Sequence, residues 1–168
     1  MTAIIVIALV SSPKTHKGVI GGTMKTKWFS FTVTHAETVY AYDKGDSAYT
    51  AESGFFAVIA DLSITNTCGE DLDILSDDFV LVSDDFTSQE YCEPVIKSDF
   101  YQYFDTAAVK MFRFEEEDGV NYFVIPDGAT KTGRLVFVIS SLVKTAKLDF
   151  TEFSADGKKG DTYLVNIF

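Results

Sequence analysis

Apolar and polar side chains alternate most clearly in residues 55–67, which read FFAVIADLSITNT. Every second position from Phe56 to Ile64 is apolar, and polar side chains fill the intervening positions in the second half of the stretch. This period of two places alternate side chains on opposite faces of a β-strand. In the first half the intervening residues are apolar too, which indicates that both faces are covered there. The pattern predicts a central strand.

The same alternation, or a short apolar run rich in β-branched residues, predicts further strands. They cover residues 27–34, 72–75, 79–82, 86–92, 122–125, 134–140, 147–153 and 162–168. Residues 39–42 either extend the first of these or form a short partner strand. Polar stretches containing glycine predict loops at residues 11–22 and 43–54, and Pro-Asp-Gly at 126–128 predicts a turn. Seven to nine short strands joined by turns indicate an all-β fold, an antiparallel β-sandwich.

Two segments leave alternatives open. The apolar run at residues 3–10 is too short to cross a bilayer as a helix, so it is either a first strand or the remnant of an export segment. Residues 93–119 fit a short helix no better than an edge strand. We therefore expect residues 21–168 to form a single domain, preceded by the strand or export segment and a loop in residues 1–20.

The charge of the chain limits which partners are expected. The formal net charge is −11, and the excess lies in residues 61–118, which carry three basic and 16 acidic side chains. Such a field repels phosphate groups, so nucleic acid and an anionic membrane surface are not expected partners. The acidic side chains form either a solvated, solubilising face or a site for a cation or a basic partner.

Cation binding is the sharper of these hypotheses. Six aspartates lie in a turn-rich stretch: Asp71, Asp73, Asp77, Asp78, Asp84 and Asp85. Calcium favours several oxygen ligands from flexible loops of this kind. However, no glycine occupies the sharp-turn position of a calcium loop and no glutamate closes it twelve residues later, so solvated turn aspartates are the alternative. No other cofactor is expected.

The two cysteines, Cys68 and Cys92, have no neighbours at metal-ligand spacing and do not form a Cys-x-x-Cys pair. Cys68 follows the central strand and Cys92 ends a later strand. Antiparallel neighbours can bring such ends together, so a disulfide and two free thiols both remain open.

Aromatic residues offer a third kind of site. A set of tyrosines and phenylalanines flanks the segment whose structure is left open: Tyr91, Phe100, Tyr101, Tyr103 and Phe104. Such side chains form either the core and rim of the sandwich or a partly exposed patch that recognises a protein or a glycan.

Catalytic motifs do not stand out. Neither His16 nor His35 has a cysteine or carboxylate at ligand spacing, and the sequence contains no Gly-x-Ser-x-Gly or Ser-x-x-Lys motif. Gly21 and Gly22 precede a predicted strand and not a helix, so they do not form a phosphate-binding loop. We therefore expect a protein that is not an enzyme.

Four segments together resemble a known family. They are residues 22–33 (GTMKTKWFSFTV), 58–66 (VIADLSITN), 77–85 (DDFVLVSDD) and 125–139 (IPDGATKTGRLVFVI). Their order and spacing are similar to a bacterial family of secreted and lipid-anchored domains of unknown function, among the immunoglobulin-like sandwiches typified by the immunoprotective extracellular antigens. The likeness covers residues 21–153. It implies an immunoglobulin-like antiparallel β-sandwich outside the cell or at its surface, and it brings no catalytic residues.

The function that we expect from these observations is a noncatalytic interaction module, extracellular or at the cell surface, that binds a protein partner. The alternative is a small-ligand or calcium-binding sandwich that uses its acidic loops.

Overall fold

The computed structural model describes residues 12–44, 47–50, 54–85, 91–94 and 111–168. Every regular element in these ranges is a β-strand. The strands are β1 (Thr15–Gly18), β2 (Thr23–Lys25), β3 (Phe29–Val39), β4 (Ala41–Lys44), β5 (Ser47–Thr50), β6 (Phe55–Asn66), β7 (Leu72–Leu75), β8 (Phe79–Val82), β9 (Tyr91–Cys92), β10 (Glu115–Glu117), β11 (Val120–Ile125), β12 (Thr130–Ser140), β13 (Lys147–Phe153) and β14 (Lys159–Asn166). Across these ranges, no helix is long and apolar enough to span a membrane.

The strands form two main sheets, a small sheet and a hairpin. The five-stranded sheet has the order β1-β14-β13-β8-β9, and the four-stranded sheet has the order β12-β6-β3-β2. The small sheet has the order β10-β11-β7, and β4 pairs with β5. All of the pairs within these sheets are antiparallel except β1 and β14, which run parallel.

The core lies between the two main sheets and is rich in phenylalanine. Phe29 of β3 meets Phe150 of β13 edge-on at 4.8 Å between ring centroids, and Phe31 meets Phe79 of β8 at 5.2 Å. Edge-to-face contacts of this kind stabilise a core beyond the area that they bury. Because each pair joins one main sheet to the other, these rings hold the two layers together.

The predicted sandwich is confirmed. The central strand β6 begins at Phe55 as expected and pairs along its length with β3 and β12. It ends at Asn66, whose buried side-chain amide donates to the carbonyl oxygens of Glu70 and Ile125. The predicted strand at residues 147–153 coincides with β13, and the predicted turn at residues 126–128 is present, closed by the Ala129 N–H and the Pro126 carbonyl.

Two predicted loops are wrong. The stretch at residues 11–22 contains β1, and the stretch at residues 43–54 contains most of the β4–β5 hairpin. Both were missed because short strands at sheet edges bury little and so lack alternating apolar positions. Together with β2 and β10, these strands raise the number in the described ranges to 14, above the predicted seven to nine.

The structure answers part of the question for the segments whose structure the sequence left open. The described end of residues 93–119 contains the edge strand β10, which is antiparallel to β11. Before it, Phe112 is buried and its ring stacks on Phe123 at 4.5 Å. The hairpin predicted at residues 79–92 is present in its described part, where β8 pairs with β9. Residues 1–11 lie outside the described residues, so the strand and export alternatives stay open.

Candidate functional site

A cleft opens where the chain passes from the small sheet to the five-stranded sheet between β7 and β8. One cavity of about 470 Å³ and an adjoining cavity of about 300 Å³ share Leu75, Asp78, Thr151 and Phe153. The other residues that line one or both are Trp28, Phe29, Leu72, Asp73, Ile74, Asp77, Val80, Asp149 and Phe150. We call this cleft the β7–β13 groove. Its volume is in the range of sites that bind small molecules or single side chains of a partner.

The strand lengths create the groove. β8 pairs with β13 only as far as Phe150, which lies opposite Phe79. β13 then continues through Phe153, three residues past the end of β8, while the chain on the other side turns away into β7. The projecting end of β13 and the edge of β7 therefore form two walls with space between them.

The walls present apolar surface to solvent. Phe153 is 58% exposed and Leu75 is 37% exposed. Single exposed apolar side chains are common on protein surfaces and need no explanation. Here, however, two of them border one cavity together with the half-buried Trp28, so the apolar surface is concave and continuous. Such a surface suits the apolar part of a partner.

Asp78 is a half-buried carboxylate in this groove. Burial is the main reason that its pKa is raised to about 6; the backbone N–H of Leu75 opposes the rise and the nearby charge of Asp77 adds to it. That N–H donates to Asp78 Oδ2 at 2.7 Å. The carboxylate is thus poorly solvated when charged, and a cation placed beside it would be favourable.

Asp149 is the second half-buried carboxylate. Burial raises its pKa above the ordinary value, whereas the hydroxyl of Thr151 and the charge of Lys159 act in the opposite direction. The Thr151 hydroxyl donates to Asp149 Oδ1 at 3.0 Å. Asp149 therefore contributes a second negative charge on the β13 side of the groove.

Among the described residues, the lining of the two cavities includes four aspartates and no lysine, arginine or histidine. Two lysines lie near the margin. Lys159 is close enough to Asp149 to affect its pKa, and Lys27 places its ammonium 5.3 Å from the ring centroid of Trp28. As far as the structure describes it, the groove is thus an acidic, partly apolar cleft with basic groups at its border.

The six aspartates predicted as a calcium site do not converge. Asp71 accepts the backbone N–H of Asp127, Asp84 pairs with the ammonium of Lys147, and Asp85 accepts the backbone N–H groups of Lys144 and Thr145, with its pKa lowered mainly by the Lys144 bond. Asp73, Asp77 and Asp78 border the groove. The described part of the chain holds no group of three or more histidine, cysteine or acidic side chains placed to bind a metal ion.

The two cysteines are free thiols, so of the two alternatives left open the disulfide is not present. Cys68 lies just beyond the end of β6, with its thiol toward the Glu70 carbonyl. The thiol of Cys92 faces the carbonyl of Val138, which pairs with Ala57 near the start of β6. About nine residues of strand, or roughly 30 Å, separate these ends, far beyond the reach of a disulfide.

Most of the predicted aromatic patch lies outside the part of the chain that the structure describes. Phe100, Tyr101, Tyr103 and Phe104 lie outside the described residues, and of Tyr91 only the backbone is described, in β9.

His16 joins two strands, and His35 lies within a pair of strands. His16 Nε2 lies 2.8 Å from Asp161 Oδ2, and its ring stacks on Tyr163 at 4.7 Å between centroids. The hydrogen bond of His16 lowers the pKa of Asp161. These contacts attach β1 to β14. His35 lies at an irregularity of the pairing between β3 and β6.

No local sequence pattern indicated the groove as a site. Asp149 alternates with Leu148 and Phe150, a pattern that predicts only an outward position on a strand, and Phe153 and Trp28 are far from β7 along the chain. Only the pairing of strands distant in sequence brings these side chains together. Asp73, Asp77 and Asp78 were singled out, but as calcium ligands.

The fold defines the protein as an all-β sandwich. Among solved structures it is similar to an uncharacterized β-sandwich protein from Clostridium difficile, with 19% identity, 96% of this chain and 100% of that chain covered, and a TM-score of 0.55. It is also similar to the yjhA protein of Bacillus subtilis, with 17% identity, 90% and 99% covered, and a TM-score of 0.56.

A third similar structure is the ycdA protein of Bacillus subtilis, which is suggested to be a lipoprotein. It shares 15% identity, the match covers 86% of this chain and 38% of that chain, and the TM-score is 0.54. No protein-family model and no curated protein sequence matches the chain. At these identities the similar structures establish the fold alone.

Proposed function

We propose that this protein is a noncatalytic interaction module that binds a cationic segment of a protein partner in the β7–β13 groove. The observation that carries the proposal is the placement of two half-buried carboxylates, Asp78 and Asp149, in a groove bordered by exposed Leu75 and Phe153. A lysine or arginine side chain fits this combination, because its alkyl stem packs on apolar surface while its charged end pairs with a carboxylate.

The energetics favour a cationic partner over a neutral one. Burial leaves the charged forms of both aspartates with little solvation in the groove, which raises the pKa of each. A cation that enters gains the attraction of these charges and loses its own hydration, so the net gain depends on good geometry and on hydrogen bonds to the carboxylates. A neutral apolar segment would gain only the burial of Leu75 and Phe153.

The charge of the whole chain supports the same kind of partner. The acidic excess in residues 61–118 includes the β7 side of the groove. A field of this sign speeds the encounter with a basic partner and repels acidic ones, and the effect falls as salt is added.

The location that we propose is outside the cell or at its surface. It is supported by the resemblance to secreted and lipid-anchored domains and by the lipoprotein suggestion for the structurally similar ycdA protein.

The test is a calorimetric titration with a capped heptapeptide of alternating lysine and valine. The double variant Asp78→Asn, Asp149→Asn removes both groove charges and keeps the side-chain volumes. Its matched control, Asp118→Asn with Asp127→Asn, removes two exposed charges outside the groove. We expect about tenfold weaker binding for the groove variant and less than about twofold for the control. Equal losses in both variants, or no binding by the unaltered protein, would refute the proposal.

A further inference from the structure

We propose that the partner segment, bound as inferred in the preceding section, lies along the free edge of β7 and pairs with it as an added β-strand. This inference rests on the proposed function and specifies the conformation of the partner. Edge strands with unpaired main-chain groups are templates for such addition, in which backbone hydrogen bonds give affinity and alternate side chains give specificity.

The pairing of β7 determines which of its main-chain groups are free. β7 is the last strand of the small sheet, with Leu75 opposite Tyr122 and Ile74 opposite Phe123 of β11. The next residue, Ser76, donates its N–H to Asn121 at 2.8 Å. Because main-chain groups alternate in direction along a strand, those of Ile74 also face β11, and those of Asp73 and Leu75 face away.

Of the two outward-facing residues, Leu75 is already engaged. Its N–H donates to Asp78 Oδ2 at 2.7 Å, and its carbonyl accepts the N–H of Asp78 at 3.3 Å. The main-chain N–H and C=O of Asp73 have no hydrogen-bond partner within the described ranges. Asp73 therefore offers the donor and acceptor that a strand needs to form one closed pair of hydrogen bonds with a neighbour.

Space for such a strand lies beside this edge. The cavity of about 300 Å³ is bordered by all four residues of β7, whose side chains alternate between the two faces of the sheet. We infer from this succession of lining residues that the cavity borders the edge of the strand. Trp28 and Phe153 also line this cavity, so their rings are available to the side chains of an incoming segment.

The negative charges near the edge of β7 determine which kind of segment would pair with it. Asp73, Asp77 and Asp78 lie at or next to this edge, so a second copy of the chain would bring like charges together and is disfavoured. A basic segment of another protein would bring opposite charges. Acidic side chains at the edge thus oppose self-pairing and favour a cationic strand.

The first test uses the same lysine–valine heptapeptide with N-methylated backbone nitrogens. One version carries the methyl groups on its lysines and the other on its valines. A peptide paired to one edge directs only alternate N–H groups toward the protein. We expect one version to lose at least about tenfold in affinity and the other to stay within about threefold of the parent peptide. Equal losses in both versions, or no loss in either, would overturn strand addition.

The second test changes the protein. Asp73→Pro removes the outward N–H without removing a hydrogen bond to β11, and proline is tolerated at an edge in this orientation. Asp73→Asn is the matched control, because it removes the same charge and keeps the N–H. We expect Asp73→Pro to bind the parent peptide at least about tenfold more weakly than Asp73→Asn. Equal affinities in two folded variants would overturn the inference, and if Asp73→Pro fails to fold, the methylated peptides decide.

The outcomes separate the two proposals. If the parent peptide binds in a manner that depends on Asp78 and Asp149, but neither the methylation pattern nor Asp73→Pro matters, the groove is the site and strand addition is wrong. If the parent peptide does not bind, the proposed function itself is wrong.

Discussion

At the scale of single residues, the groove places negative charge where it destabilises the folded protein. Asp78 and Asp149 are half-buried, and in both cases burial is the largest cause of the raised pKa. A fully solvated aspartate would not incur this cost of desolvating its charge. The two side chains therefore resemble binding residues, which commonly reduce stability in the absence of their partner.

Asp78→Asn should stabilise the protein at neutral pH. The pKa of Asp78 rises from 3.8 to about 6 on folding, so the native state binds more protons between these values and stability falls as pH rises through this window. Asparagine carries no proton to lose and can still accept the Leu75 N–H. We expect a gain of at most about 3 kcal/mol at pH 7 and little gain at pH 4. Urea unfolding at both values measures it, and a gain independent of pH would contradict the assignment.

Gly133→Ala should destabilise the protein through a steric conflict with Phe112. A Cβ atom at Gly133 would lie 2.8 Å from the Phe112 ring, which is itself stacked on Phe123 and cannot easily move. Overpacking of this kind costs about 1 to 3 kcal/mol. In a Phe112→Leu background the cost should fall markedly, since the smaller side chain leaves room. Equal costs in both backgrounds, measured by urea unfolding, would show that the conflict is not with Phe112.

At the scale of elements, β6 is the strand that joins β3 and β12 in one sheet. It pairs with β3 on one side and β12 on the other, and Leu62 near its middle is 2% exposed. Its boundaries were predictable because burial on one face and partial exposure on the other leave a period of two in the sequence. The same physical reason explains why β1, β4 and β5 were missed, since edge strands bury too little surface to show a period of two.

Leu62→Ala should cost about 2 to 5 kcal/mol, because it leaves a cavity between the main sheets. Ser63→Ala, on the opposite face of β6, should change stability by no more than about 0.5 kcal/mol. Urea unfolding of both variants checks the inward face of the strand. A loss below about 1 kcal/mol for Leu62→Ala would show that the face is wrongly assigned.

The attachment of β1 should weaken in acid. Asp161 accepts the Lys14 N–H and pairs with His16, and these bonds lower its pKa below 3.8. A lowered pKa means that the contribution is present above this value and is lost as pH falls through the folded pKa. The protection factors of the β1 amides, which are corrected for the pH dependence of intrinsic exchange, should therefore fall as pH is lowered through the pKa of Asp161, and Asp161→Ala should show low protection on both sides of that pKa. Unchanged protection of β1 in Asp161→Ala would contradict this role.

At the scale of the whole molecule, the site depends on contacts that no local pattern encodes. The groove unites β7, the turn after it and the far end of β13, which are separated by about half of the chain. The strands themselves were largely predictable, but their order in the sheets was not, and that order decides which aspartates meet. For the same reason the six aspartates of residues 71–85, close in sequence, separate in space: three border the groove, and the other three bond to Asp127, Lys144 and Lys147.

The separation of Cys68 and Cys92 across β6 makes a further prediction. Both thiols should react with a thiol reagent in the unfolded protein, whereas in the folded protein Cys92 should react more slowly, because burial raises its pKa. Mild oxidation should not produce an internal disulfide. Mass spectrometry of the intact chain after oxidation measures this, and a loss of two hydrogens within a monomer would contradict the separation.

The parallel pairing of β1 with β14 has a mechanical consequence. Tension between the residues preceding β1 and those following β14 pulls the two strands past each other lengthwise, so their hydrogen bonds share the load and do not open one by one. The Lys14 and His16 contacts with Asp161 add to that resistance. In single-molecule pulling, Asp161→Ala should lower the unfolding force, and an unchanged force would show that the load is carried elsewhere. A pull applied from the residues before β1 to those after β14 would thus be borne in shear by these two strands together, and not by one hydrogen bond at a time.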